Sequence, residues 1–262
     1  MTLTKNQRKD LQALSQKKFR DETDLFIVEG ARLVREAVGS VFDIAEVYHT
    51  AEFGATTEGG KLLDALRRRS KLITVTPREL EGFSDTVHAQ GIAAVLLQRH
   101  DTPSVLLKRN EGASILVAVD AMADPGNLGS IIRSCDWFGV DGLLIGKSSV
   151  DLYNPKVVRS TMGGLFHLPI VQEVDLPLTL TRAKELGYTV YATDPDGPAH
   201  FDRTAYASKS IVVFGNEAWG ISDAVAASAD VRVSIRRYGS AESLNVGVAC
   251  GIVLSAMRKL KE

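Results

Sequence analysis

Apolar residues in this chain come in short runs separated by turn-forming residues, and their spacing switches repeatedly between a period of two and a helical period. LFIVEG (25–30), IAEVYHT (44–50), KLITVT (71–76) and GIAAVLLQ (91–98) predict strands. Between them, GARLVREAV (30–38) and KLLDALRRR (61–69) predict helices, and PRELEGF (77–83) a short one with Pro77 at its first position. Residues 4–20 predict one basic amphipathic helix with Leu11 and Leu14 turned inward. This alternation makes a small α/β domain. The polar stretch HDTPSVLLKRNEG (100–112) predicts a linker, which places the domains at 1–103 and 104–262.

The second half alternates again. ILVAVD (115–120) predicts a strand, followed by a helix that Asn127 caps and Gly139 terminates. Its apolar stripe is Leu128, Ile131, Ile132 and Cys135, with Arg133 off the stripe. DGLLIG (141–146), LFHLPIV (165–171), YTVYATD (188–194), SIVVFG (210–215) and VRVSI (231–235) predict further strands. Asn154-Pro155 opens a helix running to Gly163-Gly164, and DLPLTLTRAKELG (175–187) predicts another. The chain ends in an apolar helix pattern reaching Met257-Arg258-Lys259-Leu260, apolar on nearly every face from Leu244 to Met257. Periodicity alone predicts an α/β protein with a doubly wound sheet.

Three of these strands run into loops of small and polar residues: DPGNLGSIIRS (124–134), GNEAWGIS (215–222) and RRYGSAESLNV (236–246). Such loops at the carboxyl ends of parallel strands predict a site there. Ser243 and Asn245 stand at the entrance to the last helix. Capping explains one of them; a second polar group at an apolar helix start calls for another partner.

DPGNLGSIIRS, VVFGNEAWGIS (212–222) and SIRRYGSAESLNVGVA (234–249) resemble, in order and spacing, the three motifs of the SpoU (TrmH-type) RNA ribose 2′-O-methyltransferases of the SPOUT superfamily. The resemblance covers roughly the last 150 residues. The leading half, through its VEGARLV and HAQGIAAV segments, is similar to the L30e-like substrate-binding domain that precedes the catalytic part in such proteins. The resemblance implies a deep trefoil knot, which periodicity could not derive. It implies S-adenosylmethionine held by backbone groups at Gly215, Ile235 and Leu244 with Thr193 nearby, and a homodimer formed through the catalytic domain. Asn127, Arg133, Glu217, Ser243 and Asn245 match the family's catalytic or active-site positions. One departure stands out: Arg236-Arg237 occupies the place of the usual Pro-Met.

For Arg133 the chemistry favours an electrostatic clamp on the substrate over a general base, because a guanidinium has a pKa above ~12. Its structural alternative is a salt bridge with Asp136 or Asp124. Glu217 is expected to orient Arg133 or the loop. Asn154 and Arg159 are candidates for RNA contact, and a cap and a surface charge explain them equally well.

Formal net charge is −1, so there is no global basic field, and RNA binding rests on local charge. Six Lys/Arg against one acid in the first 20 residues, and the run Arg67-Arg68-Arg69-Ser70-Lys71, supply it; a solvated helix face is the alternative for both. Cys135 and Cys250, far apart with no CxxC pair, fit a reducing, cytoplasmic compartment. The first residues show no apolar signal core, and the last helix reads as buried, not transmembrane. The five histidines show no ligand spacing, so no metal is expected. VDGLLIGKSS ends like a phosphate loop, but Asp141 stands where its first glycine belongs, and no GxGxxG follows a strand. The expected activity is therefore 2′-O-methylation of structured RNA, ribosomal RNA before tRNA; a non-catalytic RNA-binding assembly factor is the alternative.

Overall fold

The computed structural model describes residues 3–84, 90–108 and 112–259. Parts of the predicted linker (109–111), the expected end of the last helix at Leu260, and His88 lie outside them. The chain divides into two compact units, Met1–Arg99 with Asp151–Phe166, and His100–Val150 with His167–Glu262. The expected division was a single cut at 103/104; a segment from the middle of the chain instead folds with the first unit.

The first unit is built on strands β1 (Leu25–Glu29), β2 (Ile44–His49), β3 (Lys71–Thr74) and β4 (Ile92–Leu97), in the order β1-β4-β2-β3. β4 runs antiparallel to both neighbours, and β2 and β3 are parallel. The predicted helix over 4–20 is two helices, Lys5–Ala13 and Lys17–Thr23. Turn-type carbonyl bonds at Leu14 and Gln16 interrupt it, while Leu11 and Leu14 are buried as expected. Leu11, Leu14, Tyr48, Leu80, Phe83 and Val95 form one apolar cluster.

Segment Asp151–Phe166 completes the unit. Asn154 caps the helix Pro155–Ser160 by accepting from Lys156 N at 2.9 Å. That helix ends before the expected Gly163, and residues 164–166 form a 3₁₀ turn where a strand over 165–171 was expected. Met162 and Gly163 both take positive φ, which breaks the helix, and the strand begins only at Ile170, after the 3₁₀ turn. Tyr153 packs its ring on Phe26 at 4.5 Å between centroids, and Phe166 meets Phe42 edge-on at 5.3 Å. A buried ion pair fixes the segment: Asp151 Oδ2 accepts from Arg20 Nε at 3.0 Å and Nη2 at 2.5 Å, and Arg20 Nη1 donates to Leu14 O. Arg20 is 2% exposed and Asp151 8%.

The second unit is a seven-stranded sheet in which every pairing is parallel. Its strands are β5 (Ser114–Val119), β6 (Gly142–Gly146), β7 (Ile170–Val174), β8 (Thr189–Thr193), β9 (Ala199–His200), β10 (Lys209–Phe214) and β11 (Val231–Ser234). Their order is β7-β6-β5-β10-β8-β11-β9. β5 and β6 are buried at every residue, as continuous apolar runs covered on both faces must be. The helix Pro125–Trp137 buries its expected stripe of Leu128, Ile131, Ile132 and Cys135. Its cap is Asp124, not Asn127: Asp124 Oδ1 accepts from Asn127 N at 2.8 Å, which frees the Asn127 side chain. The last helix, Val246–Lys259, packs on Pro125–Trp137. It buries Cys250, Val253, Leu254 and Met257 but leaves Val248 half exposed, so its apolar faces are not all covered in the monomer.

Removing one member of the Arg20–Asp151 pair leaves the other charge buried and alone. Arg20→Ala and Asp151→Ala should each destabilise the first unit by about 3–5 kcal/mol. Arg20→Met with Asp151→Leu together should be far milder. Chemical denaturation of the three variants checks this.

Candidate active site

Parallel strands place all their carboxyl ends on one edge of the sheet, and the three motif loops leave from that edge after β5, β10 and β11. Their fastening begins with the backbone. Asn216 and Gly220 exchange hydrogen bonds of 2.9 Å in both directions, closing a tight turn after β10. A Cβ on Gly215 would lie 2.2 Å from Gly220 C, so only glycine fits under that turn. Two side chains then tie this loop to the first. Asn216 Nδ2 donates to Ala121 O at 2.7 Å, and Asp120 Oδ2 accepts from Ser222 N at 2.8 Å. Asp120 and Asn216 are both buried. Sequence reasoning missed this pair; the only available signal was a polar residue ending each of two buried apolar runs.

The site proper is a chain of amides ending on a carboxylate. Asn245 Oδ1 accepts from Gly247 N at 3.0 Å and Val248 N at 3.3 Å, so Asn245 caps the last helix. Its acceptor is thereby occupied, and its Nδ2 donates to Asn127 Oδ1 at 2.8 Å. Asn127 Nδ2 in turn donates to Glu217 Oε1 at 2.8 Å. A helix N-terminus at one end and a carboxylate at the other fix the orientation of both amides. The second partner expected for Asn245 is thus Asn127. Three loops as much as 118 residues apart meet in one polarised line.

Ser243 is exposed in the loop before Asn245 and makes no hydrogen bond among the described residues. Arg133 is exposed and makes no ion pair among the described residues. Neither salt bridge considered for it forms: Asp136 meets His167 Nδ1 at 3.1 Å, and Asp124 caps its own helix. Glu217 does not orient Arg133, because it accepts from Asn127, and Arg133 lies six residues along the helix, ~9 Å of rise away. Asn154 and Arg159 belong to the first unit, where Asn154 serves as a cap.

The expected cofactor residues lie at the same sheet edge. Thr193, ending β8, donates its hydroxyl to Val213 O at 2.9 Å. Gly215 is buried, Ile235 partly buried and Leu244 48% exposed. Among the described residues, the backbone of 235–244 accepts one side-chain hydrogen bond, from Arg237 Nη1 to Ala241 O at 3.2 Å, and pairs with no other backbone group. That loop therefore offers main-chain donors and acceptors to a ligand. A nucleoside carrying an amino-acid tail suits such a donor set, so the residues fit S-adenosylmethionine.

Covalent thiol chemistry is not supported. Cys135 and Cys250 are fully buried, and burial, with Cys250 alongside, pushes the Cys135 thiol well above its ordinary pKa. The described residues contain no cluster of His, Cys, Asp and Glu able to hold a metal.

Residues 114–255 match the SpoU rRNA Methylase family, and residues 5–94 match the MRM3-like substrate binding domain. A 23S rRNA (guanosine(2553)-2′-O)-methyltransferase of Bacillus subtilis (strain 168) is 31% identical over 97% of each chain. Among solved structures, the SpoU methyltransferase AviRb from Streptomyces viridochromogenes, in complex with AdoMet, superposes with a TM-score of 0.89 at 27% identity, covering 99% of this chain and 98% of that one. An RNA methyltransferase of the TrmH family from Porphyromonas gingivalis, described as putative, gives 0.85 at 29% identity over 98% of each chain. A substrate-binding domain precedes a parallel-sheet catalytic domain, and the chain belongs to the SpoU rRNA methylase family, as an RNA ribose 2′-O-methyltransferase whose cofactor is S-adenosylmethionine.

Proposed function

We propose that the RNA methylated is structured ribosomal RNA and that the Asn245–Asn127–Glu217 line is the centre of the site. The hydrogen-bond chain carries the proposal for the site. For ribosomal RNA the support is the Bacillus relative, which matches over both domains and whose name specifies 23S rRNA.

Thr193, Gly215, Ile235 and Leu244 would hold S-adenosylmethionine, which when bound supplies a methyl group on an electrophilic sulfonium. The leaving group is thus already activated, and the protein's task is alignment. Asn127 and Asn245 lock the third loop to the first; Glu217 locks the second to the first through Asn127. Ser243, with a free hydroxyl one residue before Leu244, is placed to bond cofactor or ribose. Arg133, with no acid holding it, is available to grip a substrate phosphate and to stabilise charge growing on the 2′-oxygen.

The last helix returns to pack on Pro125–Trp137 after β11 has joined β8, a path compatible with the family's trefoil knot. A groove of about 700 Å³ lined by Phe201, Val248, Gly251 and Ile252 lies along that helix and supports a homodimer. No helix among the described residues is long and apolar enough to cross a membrane, and both cysteines are free, which supports a cytoplasmic setting.

The first unit would select the RNA. Local acids or carbonyls occupy many of its basic groups: Arg67 meets Asp64, Arg69 meets Val38 O, and Lys71 meets Glu46. Lys5, Lys9 and Arg68 are exposed and make no ion pair among the described residues. Because Asp151–Phe166 completes this unit, point substitutions test it better than truncation.

Four outcomes are expected. Methyl transfer from labelled S-adenosylmethionine should go to ribosomal RNA from cells lacking the enzyme and not to their tRNA; Lys5→Glu, Lys9→Glu and Arg68→Glu together should raise the RNA KM at least ~10-fold and flatten its salt dependence. Arg133→Ala should keep the melting temperature and cofactor affinity while single-turnover transfer falls roughly 10²-fold, with Arg133→Lys recovering little. Light scattering at micromolar protein should give twice the 28.4 kDa chain mass.

A further inference from the structure

Two large aromatic side chains stand in solvent on the loops of this site, where burial cannot explain them. Trp219 is 68% exposed and Tyr238 88% exposed. Trp219 sits in the turn closed by Asn216 and Gly220, two residues from Glu217. That turn is rigid: besides the paired backbone bonds, Asn216 Oδ1 accepts from Ala218 N at 2.8 Å. The indole is therefore carried on a fixed mount. Tyr238 lies in the third loop, between β11 and Asn245. The Arg236 guanidinium stands 5.5 Å from its ring centroid, and Arg237 bends the loop back by donating to Ala241 O. Glu217 and Asn245 join both loops to Asn127, so the two aromatics are carried on loops that meet at one residue.

An exposed indole, and an exposed phenol with the Arg236 guanidinium beside it, match one ligand chemistry closely. Unpaired nucleobases stack on such faces, and the intervening phosphates meet the cations. Bases inside a duplex are already stacked and present no free face. Arg236-Arg237, the point where this chain departs from the family pattern, supplies the cations. We propose that Trp219 and the Arg236–Tyr238 pair form a stacking platform that holds unpaired nucleobases flanking the methylated ribose, so that the enzyme reads an unstacked stretch of RNA. The proposal rests on the RNA methyltransferase reading and adds to it the residues that select the conformation of the substrate.

The chain has two tryptophans, so Trp137→Phe leaves Trp219 as the sole indole. In that background, a single-stranded RNA of ~12 nucleotides should quench the indole emission, and the same strand annealed to its complement should not. With ribosomal RNA as substrate, Trp219→Ala and Tyr238→Ala should each raise KM about 10-fold or more while melting temperature and cofactor affinity stay at the parent values. Trp219→Phe should recover most of the loss and Trp219→Leu little, because a ring face is required. Equal quenching by duplex, an unchanged KM in both alanine variants, or full recovery by leucine would overturn the proposal. A parent protein that transfers no methyl group would instead count against the underlying activity, while the quenching measurement still decides the platform.

Discussion

The site depends on what Asn127 does not do. A helix opening with Pro125 needs one side chain to satisfy its first free N–H groups, and Asp124 takes that task. The Asn127 amide, which would otherwise turn inward on its own backbone, is left to face outward with one acceptor and two donors. It gives the acceptor to Asn245 and a donor to Glu217. No other side chain of this length carries a donor and an acceptor on separate atoms. A carboxylate here would confront Glu217, and a hydroxyl would not span the two loops. The alignment that methyl transfer demands is thus delegated to an amide whose orientation its neighbours dictate.

The sheet makes that meeting possible. Seven parallel strands deliver loops from distant parts of the chain to one edge, and β10 lies between β5 and β8, so the loop after β10 stands in the middle. Its turn folds so closely onto Gly215 that a methyl group would overlap the backbone of Gly220. Asp120 and Asn216 then bind that turn to the end of β5. The exposed line of amides and the pair of buried polar groups thus both tie the second loop to the first.

Much of this was legible in the sequence. Buried strands such as β5 and β6 read as continuous apolar runs because both faces are covered, and the motif loops read as glycine, asparagine and serine because main chains pass closely there. What failed had local causes. Asn127 was read as a cap because the first polar residue before it, Asp124, is separated from it by Pro-Gly, a pair that reads as turn. The strand expected over 165–171 has the right composition, but Met162 and Gly163 turn the backbone the other way just before it. The freedom of Arg133 and the occupation of Glu217 depend on which partners reach them, and no spacing rule encodes that. Asp120 and Asn216 escaped notice because a lone polar residue after an apolar run has many uses.

The segment Asp151–Phe166 sets an order on the birth of the molecule. A ribosome releases the first 99 residues early, yet Phe26 lacks the Tyr153 ring, Phe42 the Phe166 ring and Arg20 its carboxylate until residues 151–166 have also emerged. By then β5 and β6, two of the seven strands of the second sheet, have been synthesised. The nascent first unit must wait with an apolar face and a buried cation unmatched. A gene encoding residues 1–99 alone would express that waiting state permanently.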